Sequence, residues 1–166
     1  LGKVQHIGPD AWLHTLYPPL DDIDVNLMEG EIGIRFPEAF RELLELTNGL
    51  NLFSDSLAIF GHRASFDRAS EDREPYSLVS MNLYERPPNL RSGALLIGSY
   101  SFRNGFWLYI DRQSQRIFRC RRSSAEPLAE WPNFGEMLRS EVCRLDGLFD
   151  RHGKMHDPNT SIVPGA

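Results

Sequence analysis

Catalysis and metal binding need particular side chains at particular spacings, and this chain is sparing with both. The one metal-like run is His152-Gly153-Lys154-Met155-His156-Asp157, which offers two imidazoles and a carboxylate. Gly153 and the pattern-free surroundings favour an ordinary terminal segment over a metal site. His62, directly after Phe60-Gly61, reads as a polar residue at a strand end rather than a ligand. The carboxylate pairs Asp21-Asp22 and Glu71-Asp72 are sequence neighbours, which points them apart, and no apolar run surrounds them to raise a pKa for acid catalysis. No G-x-S-x-G elbow, P-loop lysine motif or G-x-G-x-x-G turn occurs. The expectation is a chain with no catalytic residues, no metal and no cofactor.

The composition narrows the class further. The chain has 166 residues, 41% of them apolar, with 18 basic against 23 acidic side chains and a net charge of −5. That suits one globular domain that buries roughly 70% of its unfolded surface on folding. A net negative molecule repels phosphate, so general nucleic-acid binding is not expected, and the apolar content is too high for disorder. The longest apolar run, Phe106 to Ile110, is far shorter than a membrane span, and no basic segment leads into an apolar one at the start. The expectation is a cytoplasmic protein with no membrane contact. Cys120 and Cys143 are too few for a disulfide framework, and their apolar-periodic settings predict two buried free thiols.

Charge is unevenly distributed. Residues 1–90 carry 15 acidic and 7 basic side chains, whereas residues 91–166 carry 8 and 11. Acids gather at Asp21, Asp22, Asp24, Glu29 and Glu31 and again at Glu71, Asp72 and Glu74; Arg112, Arg116, Arg119, Arg121 and Arg122 form the basic counterpart. Solvated faces explain such runs most simply, and a selective docking surface is the sharper alternative.

The elements that would position these groups follow from periodicity. Trp12, Leu13, Leu16 and Tyr17 stand at helical spacing before Pro18-Pro19. Asp22 to Gly33 predicts a helix with Ile23, Leu27 and Ile32 as its stripe and Asp22 or Asp24 as its cap. Pro37 opens a second helix in which Phe40, Leu43, Leu44 and Thr47 share a face, Arg41 can pair with Glu45, and Gly49 follows as a left-handed terminator. Leu57 to Phe60 reads as a strand, residues 62–75 as a long polar loop, and Tyr76 to Tyr84 as an ambiguous segment with some helical spacing. Ala94 to Ile97 is a strand, and Phe106 to Asp111 with Arg116 to Arg121 form a hairpin. Asn133 and Glu136 have capping-box spacing ahead of a helix through Phe149. Helices, then strands, then a closing helix argue α+β.

Several of these segments, taken in order, resemble the SUKH superfamily. Glu29-Gly30-Glu31-Ile32-Gly33-Ile34-Arg35-Phe36-Pro37, the leucine-bearing helix after it and the closing Asn48-Gly49 are similar to its N-terminal signature. Leu57 to Gly61, Leu95 to Gly98, Gly105 to Asp111 with Arg116 to Phe118, and Asn133 to Leu138 follow in the expected sequence. The loop from Arg63 to Pro75 and an N-terminal extension with Trp12 depart from it. The resemblance implies an α+β fold with a bent, mostly antiparallel sheet flanked by helices. With the chain length, the expectation is a single SUKH-like domain over 1–150 with an N-terminal extension at 1–22; residues 151–166, with Gly153, Pro158, Pro164 and Gly165 and no apolar pattern, are expected as a flexible tail.

Bacterial members of that superfamily are mostly immunity proteins that bind and neutralise toxins, many of them nucleases or deaminases; fungal relatives are regulatory scaffolds in cell-wall signalling. The expected partner is therefore a cognate protein toxin, with the regulatory scaffold as the alternative. Interfaces of that kind concentrate affinity in aromatic and arginine anchors. Trp107 and Tyr109 on the outward face of the hairpin, Tyr100, Phe102 and Arg103 before it, and the acids Asp55, Glu71, Asp72 and Glu74 are the candidate contacts. A sheet covered on both faces would instead place Trp107 and Tyr109 under a helix.

Overall fold

The structure is a computed structural model that describes residues 3, 12–67, 73–101 and 105–165. Helix α1 (Asp22–Ile32) starts one residue before the expected caps: the Asp21 side chain accepts from the Asp24 N–H at 2.9 Å. Gly33, at φ +73°, ends it by donating to the Glu29 carbonyl at 2.9 Å. Four residues later Pro37 opens α2 (Glu38–Leu46), whose Phe40 and Leu44 are fully buried and whose Arg41 pairs with Glu45 at 3.4 Å, as the spacing predicts.

Asn48 and Gly49 do a different job from the expected helix stop. Thr47 already leaves α2 with extended backbone. The Asn48 amide then reads the backbone of His62 in both directions, accepting from its N–H at 2.6 Å and donating to its carbonyl at 2.8 Å. A side chain thus extends a ladder that the main chain does not complete. Gly49, at φ +73°, runs so close beneath the next strand that a Cβ there would stand 2.6 Å from the Ile59 carbonyl oxygen. The Asn-Gly pair is therefore a lock between α2 and the sheet.

The sheet has seven strands in sequential antiparallel order: β1 (His14–Leu16), β2 (Leu50–Leu52), β3 (Leu57–Ile59), β4 (Ala94–Tyr100), β5 (Phe106–Asp111), β6 (Ile117–Arg121) and β7 (Ser124–Trp131). With these seven strands and the four helices beside them among the described residues, the fold is α+β. Three strands are absent from the sequence reading. Trp12 to Tyr17 does not form a helix; His14–Leu16 pairs with Leu50–Leu52 instead, and both strands are only three residues long. β7 contains Pro127 and sits at the open edge, where a missing N–H costs no ladder bond.

Both faces of the sheet are covered. Helix α3 (Leu78–Tyr84), which resolves the ambiguous segment, docks on β4 through Asn82, whose amide donates to the Leu96 carbonyl at 2.8 Å and accepts from the Leu96 N–H at 2.9 Å. Helix α4 (Phe134–Asp146) has Asn133 as its cap, accepting from Glu136 N–H at 2.9 Å, and packs Phe134 edge-on against Phe40. The segment beyond 150, expected as a flexible tail without an apolar pattern, is laid back onto α4 and β6. Arg144 donates to the Ile162 carbonyl at 2.6 Å, Arg119 donates to the Pro164 carbonyl, and Val163 between them is buried.

The two thiols differ, against expectation. Cys120 lies inside on β6, where burial pushes its thiol up to about 12, but Cys143 is on the exposed side of α4. A thiol needs its anion to react. A colorimetric thiol reagent at pH 8 is expected to titrate Cys143 alone in the folded protein and both cysteines after denaturation in guanidinium chloride.

Candidate partner-binding surface

The junction of α1 and α2 concentrates the chain's charge chemistry on one carboxylate. Glu29 is only 8% exposed, and its Oε1 accepts from the Phe36 N–H at 2.7 Å. The Arg41 guanidinium lies 3.4 Å from the same oxygen, and Arg35 lies 3.8 Å from Oε2. Arg41 also reaches Asp22 at 2.5 Å and Glu45, so that one cation ties the start and the last turn of α1 to α2. Hydrogen bonding to Asp22, with the nearby carboxylates, holds the Arg41 guanidinium protonated more firmly than usual.

This clasp sets the rotation of α1. Glu29 lies on the same side as Val25 and Met28, which are 0% and 1% exposed. The stripe expected to face the core is turned outward: Ile23 is 69% and Leu27 58% exposed, while Ile32 is partly buried with the inner group. The signal was present in the sequence, because Val25, Met28 and Ile32 form an i, i+3, i+7 stripe of their own. A helix apolar on two sides can bury only one of them in its own domain.

Beside the junction lies an open groove of about 530 Å³ lined by Asn26, Glu29, Gly33, Arg35 and Arg112, the last reaching in from the β5–β6 turn. Glu29 is already engaged there, and the lining holds no nucleophile or imidazole, so the groove can offer hydrogen bonds and charge but no assembled reaction chemistry. Among the described residues no three His, Cys, Asp or Glu side chains converge to hold a metal ion. The Asp150 carboxylate, next to the His152 run, instead accepts from the N–H groups of His152 and Lys154, which keep its pKa low.

The candidate contact residues scatter. Glu71, Asp72, Phe102 and Arg103 lie outside the described residues. Asp55 is exposed in the β2–β3 turn, where Phe53, Ser54 and Asp55 all have positive φ. Glu74 is half-buried and accepts from the Ser65 N–H at 2.9 Å, with Arg63 at 4.0 Å, so it holds its own loop. The three aromatics face inward. Trp107 is 1% exposed and meets Phe60 edge-on at 5.9 Å; Tyr109 stacks on Phe118 and donates to the Ala125 carbonyl at 3.2 Å. Tyr100 is fully buried on the opposite face, where burial and then the Glu141 carboxylate push its hydroxyl well above the usual range. The outward aromatic face read from β5 is thus the face that α3 and its flanking segments cover, and these side chains offer a partner no surface in this conformation.

The arginines of the second half are likewise largely engaged within the fold. Arg116 pairs with Glu130 at 2.7 Å, Arg122 with Glu85, and Arg144 with Glu141 at 2.6 Å. Arg119 is buried beside the Phe106 ring, and desolvation lowers its pKa.

A seven-stranded antiparallel sheet flanked by helices, among the described residues, defines an α+β domain with charged and apolar groups set out on its helical side. The model of the SMI1/KNR4 family (SUKH-1) matches residues 19–140, and the chain belongs to that family. Comparison with curated proteins gives no match. β1 and the docked C-terminal segment fall outside the matched residues.

Substitutions at two of these residues test their structural roles. Trp107→Ala is expected to cost about 3–5 kcal/mol in urea unfolding, the cost of emptying a large core site; a change within about 0.5 kcal/mol, typical of a surface site, would place Trp107 outside the core. Glu29→Ala is expected to cost about 1–3 kcal/mol by orphaning the Phe36 N–H, and Glu29→Gln, which keeps an acceptor, to cost less.

Proposed function

We propose that this chain is a non-catalytic immunity protein that binds and neutralises a protein toxin, a nuclease or deaminase domain of a bacterial polymorphic toxin system. Membership of the SUKH group supports a role in protein–protein interaction. The observation that carries the more specific reading is the acidic α1. From Asp21 to Gly33 the chain has five carboxylates and no basic residue, while Arg116, Arg122, Arg139 and Arg144 of the second half make ion pairs within the fold. An enzyme that handles nucleic acid presents a basic surface to phosphate, and an acidic protein of this size is suited to occlude it. Among the described residues no helix is long and apolar enough to cross a membrane, and action on the toxin inside the cytoplasm is part of the proposal.

The test is binding to, and protection from, the product of the adjacent gene. Isothermal titration is expected to show a tight complex, and co-expression is expected to restore growth of cells making that product. Raising the salt from 50 to 500 mM is expected to slow association by about tenfold or more, because steering between unlike charges is screened. Absence of both binding and protection would overturn the proposal and leave the intracellular regulatory scaffold as the remaining reading.

A further inference from the structure

Exposed apolar side chains are common singly and informative when gathered. Four of the nine large apolar side chains exposed among the described residues lie on α1 and α3: Ile23, Leu27, Leu83 and Tyr84. The two helices pack side by side. Ile23 and Leu27 are one helical turn apart, on the side of α1 opposite the buried Val25 and Met28. Tyr84 is 79% exposed, and a tyrosine is among the side chains that most often anchor an interface.

The charges beside that stripe specify what can cover it. On one flank Asp22 and Glu29 are engaged by Arg41. On the other flank, by the helical repeat, are Asp24 and Glu31, and no basic side chain pairs with either among the described residues. An apolar centre edged by carboxylates matches a surface with apolar side chains framed by Lys and Arg. A second copy fits poorly, because apposing two such faces brings like charges together at a cost of several kcal/mol. Anionic lipid is repelled for the same reason.

We infer that the outward face of α1, with Leu83 and Tyr84 of the neighbouring α3, docks a protein whose contact surface is basic with apolar side chains at its centre. The inference deepens the proposed function and rests on the reading that this chain acts by binding a protein.

Surface plasmon resonance with an inactivated form of the adjacent gene's product tests it, using Leu27→Arg, the pair Asp24→Lys/Glu31→Lys, and Glu126→Lys on the exposed edge strand as a control. Leu27→Arg is expected to weaken the complex by roughly 30-fold or more, the loss that marks an interface anchor. The double charge reversal is expected to slow association by about tenfold, and the control to bind within about threefold of the parent. Because Leu27, Glu31 and Glu126 are exposed and Asp24 is only half-buried, thermal transitions near that of the parent are expected. If the parent binds and both α1 variants bind within about threefold of it, the docking face is overturned while the immunity reading stands. If the parent does not bind, both fall. Self-association of the parent that Leu27→Arg abolishes, seen by sedimentation, would assign the face to a second copy and also overturn the inference.

Discussion

One buried carboxylate sets the geometry of the helical side. Glu29 accepts from the Phe36 main chain and sits against Arg41, so the five-residue connection between α1 and α2 has a defined turn and α1 has a defined rotation about its axis. Burying an ionised group is costly unless its lone pairs are used. Here the cost is offset only in the orientation that brings Glu29 to Phe36 and Arg41, and that orientation also sends Val25 and Met28 into the core. Ile23 and Leu27 must then face water. The same contact that closes the domain thereby creates its most conspicuous apolar surface.

The sheet obeys a different constraint. Its central strands are apolar on both sides, and every backbone and side-chain group there has to be covered. On one face Asn82 satisfies both backbone groups of Leu96 and so docks α3 on β4, while Trp107 packs against Phe60 and Tyr109 against Phe118. On the other face Arg119 and Arg144 hold main-chain carbonyls of the C-terminal segment, with Tyr100 and Glu141 buried beneath. Arginine is used there for its several fixed donors rather than as free positive charge.

Local signals marked much of this architecture. Pro37 with the Phe40-Leu43-Leu44 face, the β5–β6 hairpin and the Asn133 cap could be read directly because a few neighbouring residues decide each of them. The short strands β1 and β2 could not, since three-residue segments carry no periodicity and exist only by pairing with each other across the chain. Asn48-Gly49 looked like a helix terminator because its role as a lock depends on His62 and Ile59, which are distant in sequence. Of the candidate contacts, Asp55 and Glu74 could be placed in loops, but Tyr100, Trp107 and Tyr109 could not be told apart from core until the groups packed over them were known.

Composition, charge distribution and the ordered motifs determined the class of this protein: an α+β domain resembling the SUKH superfamily, with its acid concentrated in the first half. These are properties of local pattern and of sums over the chain, which do not depend on how the elements meet. Which side of each element meets solvent was decided only by tertiary structure. Trp107 and Tyr109 lie inside because Phe60, Phe118 and Ala125 from other segments close over them, and Ile23 and Leu27 lie outside because the partners of Glu29 are on the opposite side of α1. An amphipathic pattern names a helix's faces, but the free energy that chooses between them comes from groups far away in sequence.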